Sequence, residues 1–249
     1  MTIDALAYLG ESRFGTALTA PQLMAAMDQH DIKTAIVAPV HLAQHDVPRA
    51  NADVAHAAEQ AQGRLVSLAR IDPWEADALT HLKDAAAQGA RGVFLHPLEE
   101  HFRINAPFVR PIAERAVELA LPIVIATGYQ CFSEPVQITQ FASWCAEVPV
   151  VLTNGGQFNI SGMSQTDAGL ALDHDHVYVH TSGVYRDDWI SLVVSTYGAN
   201  RIMFASAAPA MSPAYEMRRV TLAHVPDEAK TLMLAGNAAR IFSIGTDHA

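Results

Sequence analysis

The sequence predicts an α/β fold, a single (β/α)8 TIM barrel over residues 1–249. Three observations carry that expectation. Short Val/Ile-rich runs alternate with Ala-rich helical stretches eight times along the chain. The runs are apolar almost throughout, as strands of a parallel sheet buried on both faces are. A length of 249 residues also suits one eight-fold βα barrel, and no Ser/Gly linker or low-complexity block divides it. An open doubly wound sheet is the competitor, but no GxGxxG opens a helix after any strand.

Each element follows from local pattern. Strand one is Ile3–Tyr8, and a helix near 21–30 follows with Thr19 as N-cap and Pro21 in its first turn. Strand two is Thr34–Val40, with a helix near 49–62 that stops before Gly63. Strand three, Leu65–Ile71, closes on Asp72-Pro73 and precedes a helix near 74–88. Strand four, Arg91–Leu95, leads through a loop from His96 to Asn105 into a helix ending at Leu119. Strand five is Pro122–Ala126 with a helix near 136–147, and strand six is Pro149–Thr153 with a helix near 164–172. Strand seven is Val177–Thr181 with a helix at 189–197, and strand eight is Arg201–Phe204, followed by helical stretches to the end. Short βα connections of this kind imply right-handed crossovers.

Composition narrows the function. Half the residues are apolar and the formal charge is −10, which excludes a disordered chain and leaves no electrostatic footprint for nucleic acid. No apolar run is long enough for a membrane span, and no secretion signal is visible. The expectation is a cytoplasmic protein with Cys131 and Cys145 reduced, acting on a small molecule, without a nucleic-acid or membrane partner. A homodimer is the base-rate expectation for the assembly. The 12 His are the unusual feature of the composition and invite a metal reading.

In such a barrel, chemistry sits at the C-terminal ends of the strands. That rule selects Tyr8, Glu11, Arg13, His41, His45, Arg70, Asp72, His96, Tyr129, Glu134, Thr153, Asn154, Gln157, His180 and Arg186.

Six segments in order resemble the amidohydrolase superfamily, in its amidohydrolase-related branch. They are Ile3-Asp4, Ala69-Arg70-Ile71-Asp72-Pro73, the stretch from Gly89 to Pro97, the stretch from Leu121 to Gly128, Arg201-Ile202-Met203-Phe204 with Pro209, and the stretch from Gly236 to Phe242. The resemblance implies a barrel hydrolase or decarboxylase acting on lactones, amides or aromatic acids with a bound metal. It also implies five ligand positions, and these depart from the family pattern. Leu6 and Tyr8 stand where the family has His-x-His, Ala126 and Thr153 where it has His, and Ala207 where it has Asp. Leu and Ala cannot replace imidazole or carboxylate on zinc. No metal or other cofactor is therefore expected at the usual place.

The remaining candidates each carry two readings. His96 shares parity with Phe94 and faces the barrel mouth, either as a general base or as a support for the loop before Pro97. Arg70 forks onto a substrate carboxylate or pairs with Asp72, and Asp72 is a base or a helix cap. Asn154, with Gln157 and Asn159 beyond Gly155-Gly156, supplies amide donors to an oxyanion or forms a turn. Glu11 with Arg13, Tyr129, Glu134, Thr153 and Arg186 contact substrate or serve solvent and caps. Glu99-Glu100-His101 reads as an exposed loop. His41-x-x-x-His45 has a metal-like spacing, but in a loop those positions need not share a face.

The preferred expectation is a metal-independent hydrolase or related lyase at the barrel mouth. It acts on a small carboxylate-, lactone- or amide-containing molecule, with His96 as base and Arg70 or Asn154 on the oxyanion. One alternative is a pseudoenzyme that binds a ligand or partner. Another is a metallohydrolase with relocated ligands such as His41, His96, His180 and Glu134.

Overall fold

The computed structural model describes residues 1–156, 171–184, 186 and 188–245. Strands β1 (Ile3–Glu11), β3 (Thr34–Pro39) and β4 (Leu65–Ser67) pair in parallel. So do β5 (Ala69–Arg70), β6 (Val93–Leu95), β7 (Ile123–Ile125), β8 (Val150–Leu152), β9 (Val177–His180) and β10 (Ile202–Met203). β4 and β5 form one strand line interrupted at Leu68, whose N–H donates to the Val37 carbonyl at 2.9 Å.

The remaining gap lies between β10 and β1. There Ala5 N–H donates to the Phe204 carbonyl at 3.0 Å and Ala207 N–H to the Leu6 carbonyl at 2.8 Å. Asp4 reinforces this seam: Oδ1 accepts the Ser206 N–H at 2.7 Å and Oδ2 the Ser206 hydroxyl at 2.5 Å. Hydrogen bonds thus close the eight expected strands into a (β/α)8 barrel.

Strand parity builds two apolar layers. One residue from each strand line fills the barrel: Leu6, Ile36, Leu68, Phe94, Val124, Val151, Tyr178 and Met203. The alternate residues, such as Val37, Val93, Ile123, Val150 and Val177, pack outward against the helices. Strands buried on both faces are why the sequence reads as continuous apolar runs rather than alternation. A register shift between Asp4 and Ala7 in β1 keeps Leu6 and Tyr8 on the inner face.

The helical layer comprises α1 (Ala20–Gln29), α2 (Val47–Gln60), α3 (Ala78–Ala87), α4 (Arg110–Glu118), α5 (Pro135–Ala142), α6 (Trp189–Tyr197), α7 (Pro213–Leu222), α8 (Asp227–Thr231) and α9 (Asn237–Ile241). Thr19 caps α1 as expected, in a capping box with Gln22. Ala238, Ala239 and Ile241 of α9, with Phe242 after it, join the inner cluster.

Three details differ from the sequence reading. A short strand β2 (Ala17–Leu18) folds back on Gly10 and Glu11, too brief to leave a periodicity. α3 starts at Ala78 rather than near 74, because Asp72 takes the Trp74 and Glu75 N–H groups into a separate turn. The helix expected near 164–172 lies mostly outside the described residues.

Candidate active site

A cavity of about 250 Å³ opens at the C-terminal ends of the strands. Its wall includes Tyr8, Arg70, His96, Glu99, Tyr129, Thr153, Asn154 and Ala207, delivered by β1, β5, the loop after β6, the loops after β7 and β8, and the segment after β10. Six of the expected site residues therefore converge: Tyr8, Arg70, His96, Tyr129, Thr153 and Asn154.

The other described ones do not line it. Glu11 pairs with Ala17 at the rim hairpin, and Arg13 is exposed with its guanidinium over the Phe14 ring. Glu134 forms a capping box on α5 with Gln137, and its Oε1 also accepts the Cys131 N–H at 2.9 Å. Arg186 forks onto Asp188, its Nε 2.8 Å from Oδ1. Asp72 is buried as a turn cap, with Oδ1 accepting the Trp74 N–H at 2.9 Å. Gln157 and Asn159 lie outside the described residues.

Arg70 organises the wall, and not as a free fork for substrate. Its guanidinium, 1% exposed, donates from Nε to Glu100 Oε1 at 2.7 Å and from Nη1 to the Pro39 carbonyl at 3.0 Å, while Nη2 pairs with Glu99 and Glu100. A buried cation needs an anion, and the partners are Glu99 and Glu100 rather than Asp72 or a substrate carboxylate. The acidic pair expected on an exposed loop is folded inward. Glu99 and Glu100 both donate their N–H to the His96 carbonyl, a turn that swings their side chains back over β5.

The two carboxylates have different fates. Glu99 is half-buried; burial raises its pKa, but His96 and the Arg70 guanidinium outweigh that and hold it below the usual range. Glu100 is sealed in, and burial pushes it up to about 7 against the pull of Arg70. Its Oε2 has no hydrogen-bond partner among the described residues.

His96 is buried between aromatic rings, with Phe94 at 5.9 Å and Tyr129 at 5.4 Å. Burial lowers its pKa to about 4, so the ring is neutral near pH 7. The Glu99 N–H donates to His96 Nδ1 at 3.2 Å. The ring proton therefore sits on Nε2, which faces Glu99 Oε1 across 3.6 Å. In this tautomer His96 has no lone pair left to act as a base. The arrangement presents an N–H to Glu99 rather than the lone pair that the general-base expectation needs.

Asn154 uses its amide on the Thr127 carbonyl at 2.8 Å, and Thr153 Oγ1 accepts the Thr127 N–H at 3.0 Å. Both hold the turn after β8, and the oxyanion role expected for Asn154 is reduced to whatever its second amide proton reaches. Burial raises the hydroxyls of Tyr8 and Tyr129, which stay protonated donors. His180, on β9, is fully buried with neither ring nitrogen hydrogen-bonded among the described residues, and burial lowers it to about 3.

His41 and His45 do meet, contrary to the loop argument. The turn closed by His45 N–H on the Leu42 carbonyl brings His45 Nδ1 to 3.1 Å from His41 Nε2. Burial and the Arg70 charge lower the His41 pKa. Among the described residues, His41, His96, His180 and Glu134 form no ligand group; the His and carboxylate groups that converge are those of His45, Asp72 and Glu75.

The chain belongs to the amidohydrolase family, whose pattern it matches over residues 14–244. It is similar in fold to a probable 2-pyrone-4,6-dicarboxylic acid hydrolase from Acinetobacter baumannii solved with citric acid bound, at 14% identity and TM-score 0.77, covering 97% of this chain and 99% of that one. A 2,6-dihydroxybenzoate decarboxylase from Rhizobium matches at 14% identity and TM-score 0.76, covering 97% and 98%. A 5-carboxyvanillate decarboxylase from Sphingomonas paucimobilis matches at 16% identity and TM-score 0.73, covering 92% and 84%. No curated protein sequence matches. Among the described residues, no helix is long and apolar enough to cross a membrane.

The metal that the family resemblance implies does not suit the residues present. Leu6 and Ala126 are buried and offer no donor atom. Thr153 Oγ1 already serves the Thr127 amide, the Tyr8 phenol is held protonated, and Ala207 supplies only a methyl group to the wall.

Proposed function

We propose that this amidohydrolase-family enzyme cleaves a small lactone, amide or related carboxylate-bearing molecule in the barrel mouth, without a central metal. The observation that carries the reading is the His96–Glu99 pair in the cavity wall: a neutral ring presenting Nε2–H beside a carboxylate kept ionised. Glu99 serves as general base, taking a proton from a water that attacks the substrate carbonyl. His96 Nε2–H donates to the oxyanion that develops, with the tyrosine hydroxyls as further donors. Collapse breaks the carbonyl–leaving group bond, and the proton on Glu99 passes to the leaving oxygen or nitrogen. Because Arg70 is already neutralised by two carboxylates, the cavity favours the uncharged reacting end of a substrate over a second carboxylate. The named substrates of the structural neighbours, a pyrone dicarboxylate and substituted benzoates, set the size range to screen.

The test is a lactone, amide and aromatic-acid screen with and without EDTA, followed by Glu99→Gln and His96→Ala. Turnover should be indifferent to EDTA and fall by about 10²–10⁴ in kcat/KM in each variant, the range for general acid–base groups. Turnover that needs an added divalent ion at the barrel centre, or that survives both substitutions, refutes the reading. The apolar replacements at Leu6, Ala126 and Ala207 favour one other reading, a barrel that binds without turnover. Ligand-dependent thermal stabilisation with no product would establish it.

A further inference from the structure

The loops after β3 and β5 bring His45, Asp72 and Glu75 together, with one ligating atom of each within 4.8 Å of the others. None of the three lines the barrel cavity. We propose that this trio is a binding site for a divalent cation of the zinc class, tying the β3–α2 loop to the β5–α3 turn.

The placement of the three side chains carries the inference. An imidazole and two carboxylates from two separate loops meet at one point, with His45 Nε2 2.8 Å from Asp72 Oδ2. Asp72 is buried and Glu75 half-buried, while the His45 side chain, 46% exposed, opens the trio to ions from solvent. His41 Nε2 lies 3.1 Å from His45 Nδ1 and fixes that ring from behind.

The rest of the arrangement suits the metal. An imidazole nitrogen with two carboxylates is a zinc-type donor set, a water completing four-coordination. Tetrahedral zinc at about 2.0–2.1 Å needs ligand atoms about 3.3 Å apart, which small side-chain shifts reach from the 2.8 Å between His45 Nε2 and Asp72 Oδ2. Each ligand is also held by a further group, as metal ligands are. His41 holds His45, the Trp74 N–H holds Asp72 at 2.9 Å, and His81 Nδ1 meets Glu75 Oε2 at 2.9 Å.

Titrating ZnSO4 into the EDTA-stripped full chain, by calorimetry with melting curves in parallel, tests the site. Wild type should take up one saturable equivalent and melt higher with zinc. His45→Gln and Glu75→Gln, both checked for folding by circular dichroism, should bind at least tenfold more weakly and lose the zinc-dependent rise. His56→Gln, an exposed histidine on α2, should titrate like wild type. No saturable uptake by wild type, or uptake that His45→Gln and Glu75→Gln leave within twofold, overturns the proposal. Turnover in EDTA should be the same in His45→Gln as in wild type, which separates this site from the chemistry of the cavity.

Discussion

Replacing Arg70 by Met removes the cation that holds the barrel mouth together while keeping most of the side-chain volume. Arg70 is 1% exposed and holds Glu100, whose side chain is fully buried, through Nε and Nη2. Without it Glu100 Oε1 loses both bonds, and Oε2 already has none. Removing one partner of a buried ion pair costs about 3–5 kcal/mol. Glu99, with a side chain 20% exposed, can turn to water and adds little to that. For a chain of this size the loss corresponds to a melting-point drop of about 6–20 °C. The cost should depend on pH, and the sign is fixed. Glu100 already sits near pH 7, above its ordinary value of 4.5. Losing Arg70 raises it further. A carboxyl raised by folding contributes stability that is complete below its unfolded value and is lost as pH rises through its folded value. The deficit of Arg70→Met should therefore be largest at pH 8 and shrink towards pH 5, and Glu100→Gln in the same chain should recover much of it at pH 8. Urea unfolding at both pH values measures this, with an unchanged m-value as the check on two-state behaviour. A loss under about 1 kcal/mol at pH 8, or the same loss at pH 5, would show that the guanidinium does not compensate buried carboxylates.

His180→Leu should stabilise the fold by about 1–3 kcal/mol at pH 8, since two unpaired ring nitrogens leave the core. Its advantage should grow by about 1.4 kcal/mol per pH unit as pH falls below 6.5, because the unfolded ring takes up a proton that the buried ring refuses; melting curves that show the variant weaker at both pH 8 and pH 5 would refute this. Gly155→Ala should cost about 2–5 kcal/mol, since a Cβ would lie 2.5 Å from Trp189 Cζ2 on a backbone at φ +63. Gly15→Ala, also at positive φ but with nothing within 4 Å, should cost only the backbone strain, so equal melting-point losses would discount the Trp189 contact. Activity, once a substrate is found, should show no inflection near pH 6.5, because burial keeps His96 neutral down to about pH 4; an acid limb at 6.5 that disappears in His96→Gln would contradict the buried neutral ring.

The barrel was legible because its signal is collective. Eight apolar runs at similar spacing survive errors at any one boundary, and parity carried Phe94 and His96 to the same face, where the structure finds them. The site was legible where a residue stands at or within a few positions of a strand's C-terminal end, as Tyr8, Arg70, His96, Tyr129, Thr153 and Asn154 do. It failed where loop geometry decides. Glu99 and Glu100 look like solvated charges until the turn on the His96 carbonyl folds them over Arg70. His45 and His41 meet through a left-handed residue, φ +53 at His45, that no periodicity announces. The tautomer of His96 was out of reach for the same reason, since it depends on one amide of the loop that follows.

One shared guanidinium does not explain why two adjacent carboxyls differ. Glu99 and Glu100 share Arg70, so its charge alone cannot separate them. Burial and His96 do: the Glu99 side chain keeps 20% of its surface and faces His96, and the Glu100 side chain keeps none. Desolvation penalises the charged form in proportion, so Glu99 stays ionised while Glu100 is pushed to about 7. A pair of titratable groups driven apart by environment is the pattern that distinguishes a base from an acid in an active site. The resemblance to the family implies that this division of labour belongs to residues at the strand ends. Here the aligned positions are Leu6 on β1 and Ala126 and Ala207 beyond the ends of β7 and β10, and His96, Glu99 and Glu100 come from the single loop after β6, anchored by Arg70 of β5. If the chemistry has moved, it has moved to that loop. Glu99→Gln should then remove turnover while leaving the fold near wild-type stability, and Glu100→Gln should do the reverse of Arg70→Met by easing a buried charge.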